Sequence, residues 1–458
     1  MEKTNKGNQK KMIAAVIIAV VVLLLSAVLI YRYTHRTAFH RQVAALTEAG
    51  FAVSLADLEK RYTLPDGADN AADVYIEAFD SYVEPTEDEL EWLPTRGQFI
   101  TTDEMPPYPP EVIATIKATL EKNRRCLELF DKAAQMEHCL LPRTNQNYYF
   151  FTDHLSELRR AALLLTERNL YLAQTRQADA LFESLATTEA ITRCLSAQPN
   201  LIDYLVTMAI QGMFVADIET SLNLTTFTVS QLATLQQQLR RMLDTNSLAD
   251  ALISERVRIL EFMRFSSLAE FEEVGYWMFG NFWDQPLFML YSLSGLKYKD
   301  AVLLLDYADQ AIKATDLPLH EQLAVLDGIG DEISGYSRIH WLFHMIVLDY
   351  GRIFPISLRV RGSLMCGETA LAIERYRLEH QALPDSLEAL VPEYLAEVPR
   401  DPFDGAPLRY VLRETGGYTV YTIGEDGIDH GGLTGRQLAE QTGEHRSMQG
   451  DWPFTVRH

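Results

Sequence analysis

The stretch MIAAVIIAVVVLLLSAVLIY, Met12–Tyr31, decides the architecture of this chain. It runs for 20 residues without a charged side chain. A helix rises 1.5 Å per residue, so a helix of this length spans roughly 30 Å, the thickness of a bilayer core. Lys10 and Lys11 precede the run and Arg32 follows it, so charges bracket the apolar segment at both ends. The sequence therefore predicts a transmembrane helix at residues 12–31 after a basic tail at residues 1–11.

A cleaved signal peptide is the alternative interpretation of the same run. The apolar region of a signal peptide is normally shorter and ends in small residues, whereas this one ends in Leu29-Ile30-Tyr31-Arg32. Basic residues lie on both sides of the run, so the positive-inside rule gives only a slight preference for a cytoplasmic N-terminus. We expect a single-span anchor with its N-terminus in the cytoplasm and the large C-terminal part on the other side.

The rest of the chain has the composition of an acidic globular protein. Hydrophobic residues make up 47% of the 458 residues, which is enough for one or two cores. The net charge is −22, and the first 32 residues carry five basic side chains against one acid, so the remainder holds −26. Such a body repels phosphate backbones, so nucleic acid is not an expected partner.

Residues 37–362 show the spacing of amphipathic helices. Apolar side chains recur every three or four residues in segments such as Glu111–Leu141, Leu155–Thr175 and Val229–Leu243, and strand patterns are scarce. The sequence predicts a large array of packed antiparallel helices here. The segment Leu158–Cys194 also resembles one helical-hairpin repeat, but its period is not sustained, which favours an irregular bundle over a solenoid.

The segment Gly275–Leu296, GYWMFGNFWDQPLFMLYSLSGL, concentrates aromatic and large apolar side chains. One interpretation is a crossing through the core, which the large side chains favour. The other is a hydrophobic patch that binds a partner or dips into the membrane interface.

Four cysteines occur in the chain, and none forms a CxxC pair of the kind that binds zinc. If the body lies outside the cytoplasm, Cys126 and Cys139 are a candidate disulfide pair, although pairing does not follow from sequence. The favoured interpretation is that most of the four, with Cys194 and Cys366, are buried small hydrophobes.

No catalytic signature stands out along the chain. His340 and His344 are four residues apart, as two metal ligands on one helix face would be, but Trp341 stands where the HExxH motif has Glu and no third ligand is evident. Acidic residues are plentiful, so a carboxylate pair in the helical array remains an alternative. No small-molecule substrate is identified.

The pattern changes at residues 363–458. Ser363–His380 has helical spacing, and Leu408–Arg413 and Tyr418–Ile423 read as two strands joined through Gly416 and Gly417. The predicted fold class is thus mostly α, with an N-terminal transmembrane helix, a large helical array, and a small C-terminal α+β module containing an antiparallel β-hairpin.

A short glycine-rich acidic loop, GEDGIDHGG, follows the second strand at residues 424–432. Asp426 and Asp429 can turn carboxylate oxygens inward while the glycines permit tight backbone curvature. Hard oxygen ligands in a tight loop are what Ca²⁺ requires, although this loop lacks the ligand spacing of an EF-hand and acidic glycine loops are more often solvated turns.

The chain from Ala370 onward resembles the C-terminal half of the major pseudopilin of type II secretion systems. The resemblance covers about a fifth of the chain. The matching elements follow the family's order: Ala372–Tyr376, Leu383–Pro384, Ser386–Leu390, Tyr394–Leu395, Val398–Pro399, Asp401–Phe403, Pro407–Tyr410, Gly417–Gly427 and Asp451–Trp452.

This resemblance implies a calcium site, because in that family the corresponding loop binds Ca²⁺ and stabilises the small sheet against the long helix. The implied ligands are Asp426, Asp429 and Asp451, with backbone oxygens near Gly424 and Ile428. The chain also departs from the family. A pseudopilin has a prepilin-peptidase site just before its apolar helix and a glutamate at the fifth position of the mature chain, and Lys11–Val16 has neither feature. We therefore do not expect a polymerising pilin subunit.

Two functional hypotheses follow. The first is a non-enzymatic, membrane-anchored bacterial envelope protein in the inner membrane, with a single span and a periplasmic C-terminal domain. Its helical body binds a protein partner, and its pseudopilin-like, calcium-stabilised module links it to secretion or pilus-like machinery. The alternative is an envelope hydrolase that acts on glycan or peptide through a carboxylate pair in the helical domain.

Overall fold

The computed structural model describes residues 2–96, 107–146, 149–152, 154–196, 200–244, 247–263, 284–335, 337, 340, 343–344, 350–414, 416–442 and 450–457. The helices are α1 Glu2–Glu48, α2 Leu55–Arg61, α3 Ala71–Asp80, α4 Glu87–Leu90, α5 Pro110–Lys122, α6 Arg124–Ala134, α7 Leu155–Gln174, α8 Ala178–Ser196, α9 Leu201–Leu224, α10 Val229–Asp244, α11 Ser247–Phe262, α12 Asp284–Ser294, α13 Leu296–Ala314, α14 Leu319–Ser334, α15 Tyr350–His380 and α16 Gly435–Thr442. The strands are β1 Arg143–Gln146, β2 Tyr149–Thr152, β3 Arg409–Leu412, β4 Tyr418–Thr422 and β5 Trp452–Val456.

The predicted fold class is confirmed. The chain is mostly helical, begins with an apolar helix, and ends in a small antiparallel sheet of strand order β3-β4-β5. The predicted hairpin is β3 and β4, in which Arg409 pairs with Tyr421 and Leu412 with Tyr418.

Helix α1 carries the apolar run and then continues into the body without a break. It is 47 residues long, which corresponds to about 70 Å at the rise of an α-helix. The large apolar side chains from Met12 to Ile30 are exposed, whereas Phe39, farther along the same helix, is buried among α11, α12 and α13. The apolar part of α1 therefore projects from the body, and its C-terminal part belongs to the core.

A second helix, α9, is also long and apolar enough to cross a membrane. Most of it is buried, and its side chains pack against α7, α8 and α15. It begins at Asn200, whose side chain accepts hydrogen bonds from the amides of Ile202 and Asp203. We therefore interpret α9 as the central helix of the array.

The segment Glu111–Leu141 is two helices. The break falls at Asn123, which is buried and whose side chain binds both the amide and the carbonyl of Val83, at 2.8 and 3.0 Å. This pair of hydrogen bonds holds the chain after α3 against the junction of α5 and α6. Periodicity alone does not reveal such a break, because the apolar spacing continues through it.

Residues 37–362 also contain a small β-hairpin. Strands β1 and β2 pair antiparallel, from Arg143 opposite Thr152 to Gln146 opposite Tyr149. The sequence does not predict this hairpin, because four-residue strands are too short to show a clear alternation.

The C-terminal sheet contains a third strand that was not foreseen either. Strand β5 pairs with β4 from Tyr418 opposite Val456 to Thr422 opposite Trp452. Its second residue is Pro453, which weakens a strand prediction because proline lacks an amide donor. Here β5 is an edge strand, where a missing donor is tolerated.

The predicted boundary between residues 362 and 363 lies inside α15. One core joins both sides of it: Phe214 from α9 and Leu239 from α10 pack with Leu371 from α15 and with Tyr418 and Phe454 from the sheet. The C-terminal module thus packs on the array through a continuous apolar core.

The disulfide joins Cys139 to Cys194, with 5.1 Å between their Cα atoms, and the candidate pair Cys126–Cys139 is wrong. Cys126 lies on the inner face of α6 and is fully buried in the core, whereas Cys139 lies beyond α6, where the chain passes the end of α8. Cys126 and Cys366 are free and buried, as small hydrophobes are.

Candidate functional site

The acidic loop after β4 is held by its own aspartates. Asp426 accepts a hydrogen bond from the amide of Ile428 at 3.1 Å, and its other oxygen lies 3.0 Å from Nε2 of His430. This arrangement closes the first turn of the loop and places an imidazole against the Asp426 carboxylate.

Asp429 is bound on three sides by protein groups. Its Oδ1 accepts hydrogen bonds from the amide of Gly431 at 2.9 Å and from the hydroxyl of Tyr421 at 3.1 Å. Its Oδ2 lies 3.7 Å from Nε of Arg409. One face of the carboxylate is thus occupied by a guanidinium.

Asp451 is the most buried of the three predicted ligands, with 2% of its surface exposed. Its oxygens accept hydrogen bonds from the amides of His430 at 3.0 Å and Gly432 at 2.7 Å. Burial raises the pKa of Asp451, and these two amides and the nearby His430 oppose the shift while the charge of Asp429 adds to it. Asp451 therefore ties β5 to the far end of the loop.

The three aspartates lie around one loop, but they do not converge on one point. In the described part of the chain, no group of three or more His, Cys, Asp or Glu side chains is arranged to hold a metal ion. Carboxylate oxygens are the donor type that Ca²⁺ prefers. The calcium site stays a prediction.

Arg409 is the central cation of this region, and no pattern in the sequence points to it. Its guanidinium contacts the carboxylates of Asp401, Asp404 and Asp429. Asp401 is 1% exposed and also accepts hydrogen bonds from the hydroxyl of Thr422 at 2.6 Å and from backbone amides. Arg409 thus supplies the positive charge between the strand hairpin and the loop that precedes it.

A cavity of about 430 Å³ lies beside the disulfide. It is lined by Cys139, Cys194, Arg61, Arg193 and Asp250, among others. Both arginines are already engaged: Arg61 donates to a backbone carbonyl at 2.6 Å, and Arg193 contacts a glutamate of its own helix at 3.0 Å. Both cysteines of the disulfide line the cavity, and Arg193 is paired with a carboxylate there.

A second cavity, of about 310 Å³, is more apolar and lies between α9, α15 and β5. Val215 and Phe454 line its wall, and Glu219, Arg359 and Trp452 stand around it. The guanidinium carbon of Arg359 lies 5.4 Å from the centre of the partly exposed Trp452 ring. An apolar depression bordered by an aromatic ring and charges resembles the core and rim of a protein interface.

Two buried carboxylates of the helical array, Glu167 and Asp217, are held by neighbouring side chains. Glu167 accepts a hydrogen bond from Thr95 at 2.7 Å and forms an ion pair with Arg96 at 3.1 Å. Asp217 accepts a hydrogen bond from Asn169 at 2.7 Å, and burial raises its pKa to about 7. Both carboxylates lie inside the protein, at 5% exposure or less.

The imidazole of His340 contacts the carboxylate of Asp300. Its Nδ1 lies 2.6 Å from Oδ1 of Asp300, which is fully buried and also binds the hydroxyl of Tyr291 and, at 3.2 Å, the amide of Phe343. His344 is exposed on the following turn. The contacts of Asp300 with Tyr291, His340 and the amide of Phe343 therefore hold α12 in the core beside α1.

Comparisons with protein-family models, with curated proteins and with solved structures each found no match to this chain. The resemblance of the C-terminal module to pseudopilins therefore rests on the matching residues alone.

Proposed function

We propose that this chain is a non-enzymatic membrane protein of the bacterial envelope, anchored by one span in the inner membrane, whose periplasmic helical body binds a protein partner. The observation that carries the proposal is helix α1. Its section at residues 12–31 is apolar and stands outside the body, while its next turns pack in the core. Such a helix is stable only if an apolar phase surrounds its first half.

The disulfide supports a periplasmic body. Disulfides form and persist in oxidising compartments, and the cytoplasm keeps most thiols reduced. Cys139 and Cys194 lie on the C-terminal side of the anchor, so a bond between them favours the orientation with the body outside the cytoplasm.

The cavity between α9, α15 and β5 supports a binding role. Phe454 and Val215 provide an apolar floor, and Trp452 and Arg359 are residue types that are enriched in protein interfaces. This surface includes the sheet of the pseudopilin-like module. We therefore place the partner contact at this module and assign the partner to secretion or pilus-like machinery.

The anchor is tested by replacing Leu23 and Leu24 together with lysine in the full chain. Both are exposed in the middle of the apolar run, and each charge at that depth opposes insertion by about 3 kcal/mol. The doubly substituted chain is expected to leave the membrane fraction after an alkaline wash. The matched control is Leu412→Lys, which changes an exposed leucine of β3 and is expected to stay in the membrane. Retention of the double variant contradicts a span at residues 12–31.

The orientation is tested with Leu412→Cys in living cells. A membrane-impermeant maleimide is expected to label this position once the outer membrane is permeabilised and before the inner membrane is lysed. The native thiols do not compete, because Cys126 and Cys366 are buried. Labelling that requires lysis of the inner membrane places the body in the cytoplasm and refutes the proposal.

The calcium component is tested by thermal unfolding of the full chain in Ca²⁺ and in chelator, for the wild type and for Asp426→Ala. At hundredfold excess over its Kd, a bound ion adds about 2.7 kcal/mol to the state that binds it. If the loop binds Ca²⁺ as predicted, the ion raises the melting temperature of the wild type and leaves that of Asp426→Ala unchanged. An unchanged melting temperature means that contacts with Arg409, His430 and backbone amides hold the loop, and that Ca²⁺ does not.

A further inference from the structure

Helix α12 presents an apolar face to the outside of the body. Four large side chains are more than half exposed on this 11-residue helix: Leu287 at 59%, Met289 at 53%, Leu290 at 64% and Leu293 at 56%. No charged residue occurs between Asp284 and Lys297. A soluble surface seldom exposes several large apolar side chains on a single short helix, so this face needs an occupant.

The opposite face of α12 is already committed to the core. Phe288 and Tyr291 are buried with residues of α1, α11 and α13, and the Tyr291 hydroxyl binds the buried carboxylate of Asp300. Because this inner face is fixed by packing and by a hydrogen bond, α12 cannot rotate to hide its outer leucines. The core-crossing interpretation of Gly275–Leu296 therefore holds for one face of α12 and fails for the other; residues 275–283 lie outside the described residues.

The end of α12 meets α1 where the apolar run stops. Nη1 of Arg32, the first charged residue after the run, donates to the carbonyl of Leu293 at 3.3 Å. Gly295 follows with φ of +92°, and a Cβ on it would lie 2.6 Å from Cα of Arg32, so only glycine permits this approach. These contacts place the end of α12 beside Arg32, where the proposed span ends and the bilayer surface is expected.

The length of α12 decides between crossing a membrane and lying on it. Eleven residues extend about 16 Å as a helix, about half of what a bilayer core requires. Asp284, the first residue of α12, is its one charged residue, and a helix of this length at a membrane boundary has the dimensions of an interfacial segment.

We propose that α12 is a second membrane-contacting element, which lies in the interfacial region of the lipid bilayer with Leu287, Leu290 and Leu293 among the acyl chains. This inference rests on the proposed anchor, since it takes the bilayer surface to be at Arg32. The occupant is lipid, because the face adjoins the apolar section of α1. The body would then contact the membrane through α12 as well as through α1.

The test uses the full chain in phosphatidylcholine–phosphatidylglycerol nanodiscs, with one environment-sensitive fluorophore attached at Leu290→Cys. Labelling is selective without reductant, because the native free thiols are buried and the other two cysteines form a disulfide. The matched controls are Leu412→Cys, an exposed leucine on β3, and Leu23→Cys in the anchor. Quenching is measured with lipids that carry a spin label near the headgroup or deep in the acyl chain.

The expected result is a blue-shifted emission at Leu290 relative to Leu412, with stronger quenching by the shallow label than by the deep one. Leu23 should be quenched by the deep label. If Leu290 behaves like Leu412 while Leu23 is quenched, the interfacial helix is refuted and the anchor stands. A blue shift at Leu290 without quenching means that protein covers the face, which also overturns the proposal. If Leu23 is not quenched, the anchor fails as well.

Discussion

Replacing Cys139 with serine opens the disulfide and should lower the stability of the body. The bond closes a loop of 55 residues between α6 and α8. In the chain-entropy treatment, opening a loop of this size increases the entropy of the unfolded chain enough to cost about 4 kcal/mol at 25 °C. The substitution removes little packing in exchange, because Cys139 is partly exposed.

The assay is equilibrium unfolding in urea of the detergent-solubilised full chain, followed by circular dichroism. Cys139→Ser is expected to unfold at a lower urea concentration than the oxidised wild type and to coincide with the wild type after reduction. Reductant should reach the bond in the folded state, since both cysteines line the 430 Å³ cavity. Cys126→Ala is the control: its thiol is buried and free, so it should keep the full response to reductant. The assignment of the bond is refuted if Cys139→Ser unfolds at the same urea concentration as the oxidised wild type. It is also refuted if reductant shifts the unfolding of Cys139→Ser and of the wild type equally.

Two further predictions concern buried charges. Burial raises the pKa of Asp217 from 3.8 to about 7, so the folded state holds this proton more tightly than the unfolded chain, and the free energy of unfolding should fall as the pH rises from about 4 to about 7. Asp217→Asn should flatten that profile and add up to about 4 kcal/mol at pH 8 in urea titrations; a variant with the wild-type pH profile contradicts this. Arg409→Met leaves the buried Asp401 carboxylate without its cation and should cost about 3 kcal/mol, and adding Asp401→Asn should recover part of that loss in a double-mutant cycle; strict additivity shows that the pair does not interact.

The sequence predicts those parts of the fold whose pattern lies within one continuous segment of the chain. The uncharged run at residues 12–31 needs nothing beyond its own composition to be recognised. The hairpin of β3 and β4 follows from alternation and two glycines, at Gly416 and Gly417, both of which adopt positive φ. The helical array follows from spacing, which reports burial on one face irrespective of the partner helix.

The parts that escape prediction depend on residues distant in sequence. Asn123 ends one helix and starts another because it binds Val83, 40 residues earlier. Cys139 bonds to Cys194 and not to its sequence neighbour Cys126, because the fold brings α8 back to the end of α6. For the same reason the aspartates of the acidic loop were visible, whereas Arg409, which lies among three carboxylates, was not.

The site was predicted only in outline. Asp426, Asp429 and Asp451 lie around one loop, and the groups that they bind depend on the orientation of each carboxylate. Carboxylate direction depends on backbone amides such as that of Gly432 and on the charges opposite, and neither can be read from a spacing of residues.

Helix α1 runs without a break from the proposed membrane span into the core, and this continuity has a mechanical consequence. A flexible tether would let the body sample every orientation above the membrane, whereas a continuous helix transmits tilt and rotation from one end to the other. The body should therefore rotate together with its anchor as one rigid unit. It should present the surface around Trp452 at a constant height above the membrane. A partner would find that surface by diffusing in the plane of the membrane, a search in two dimensions, and a sideways pull on the body would be felt inside the bilayer.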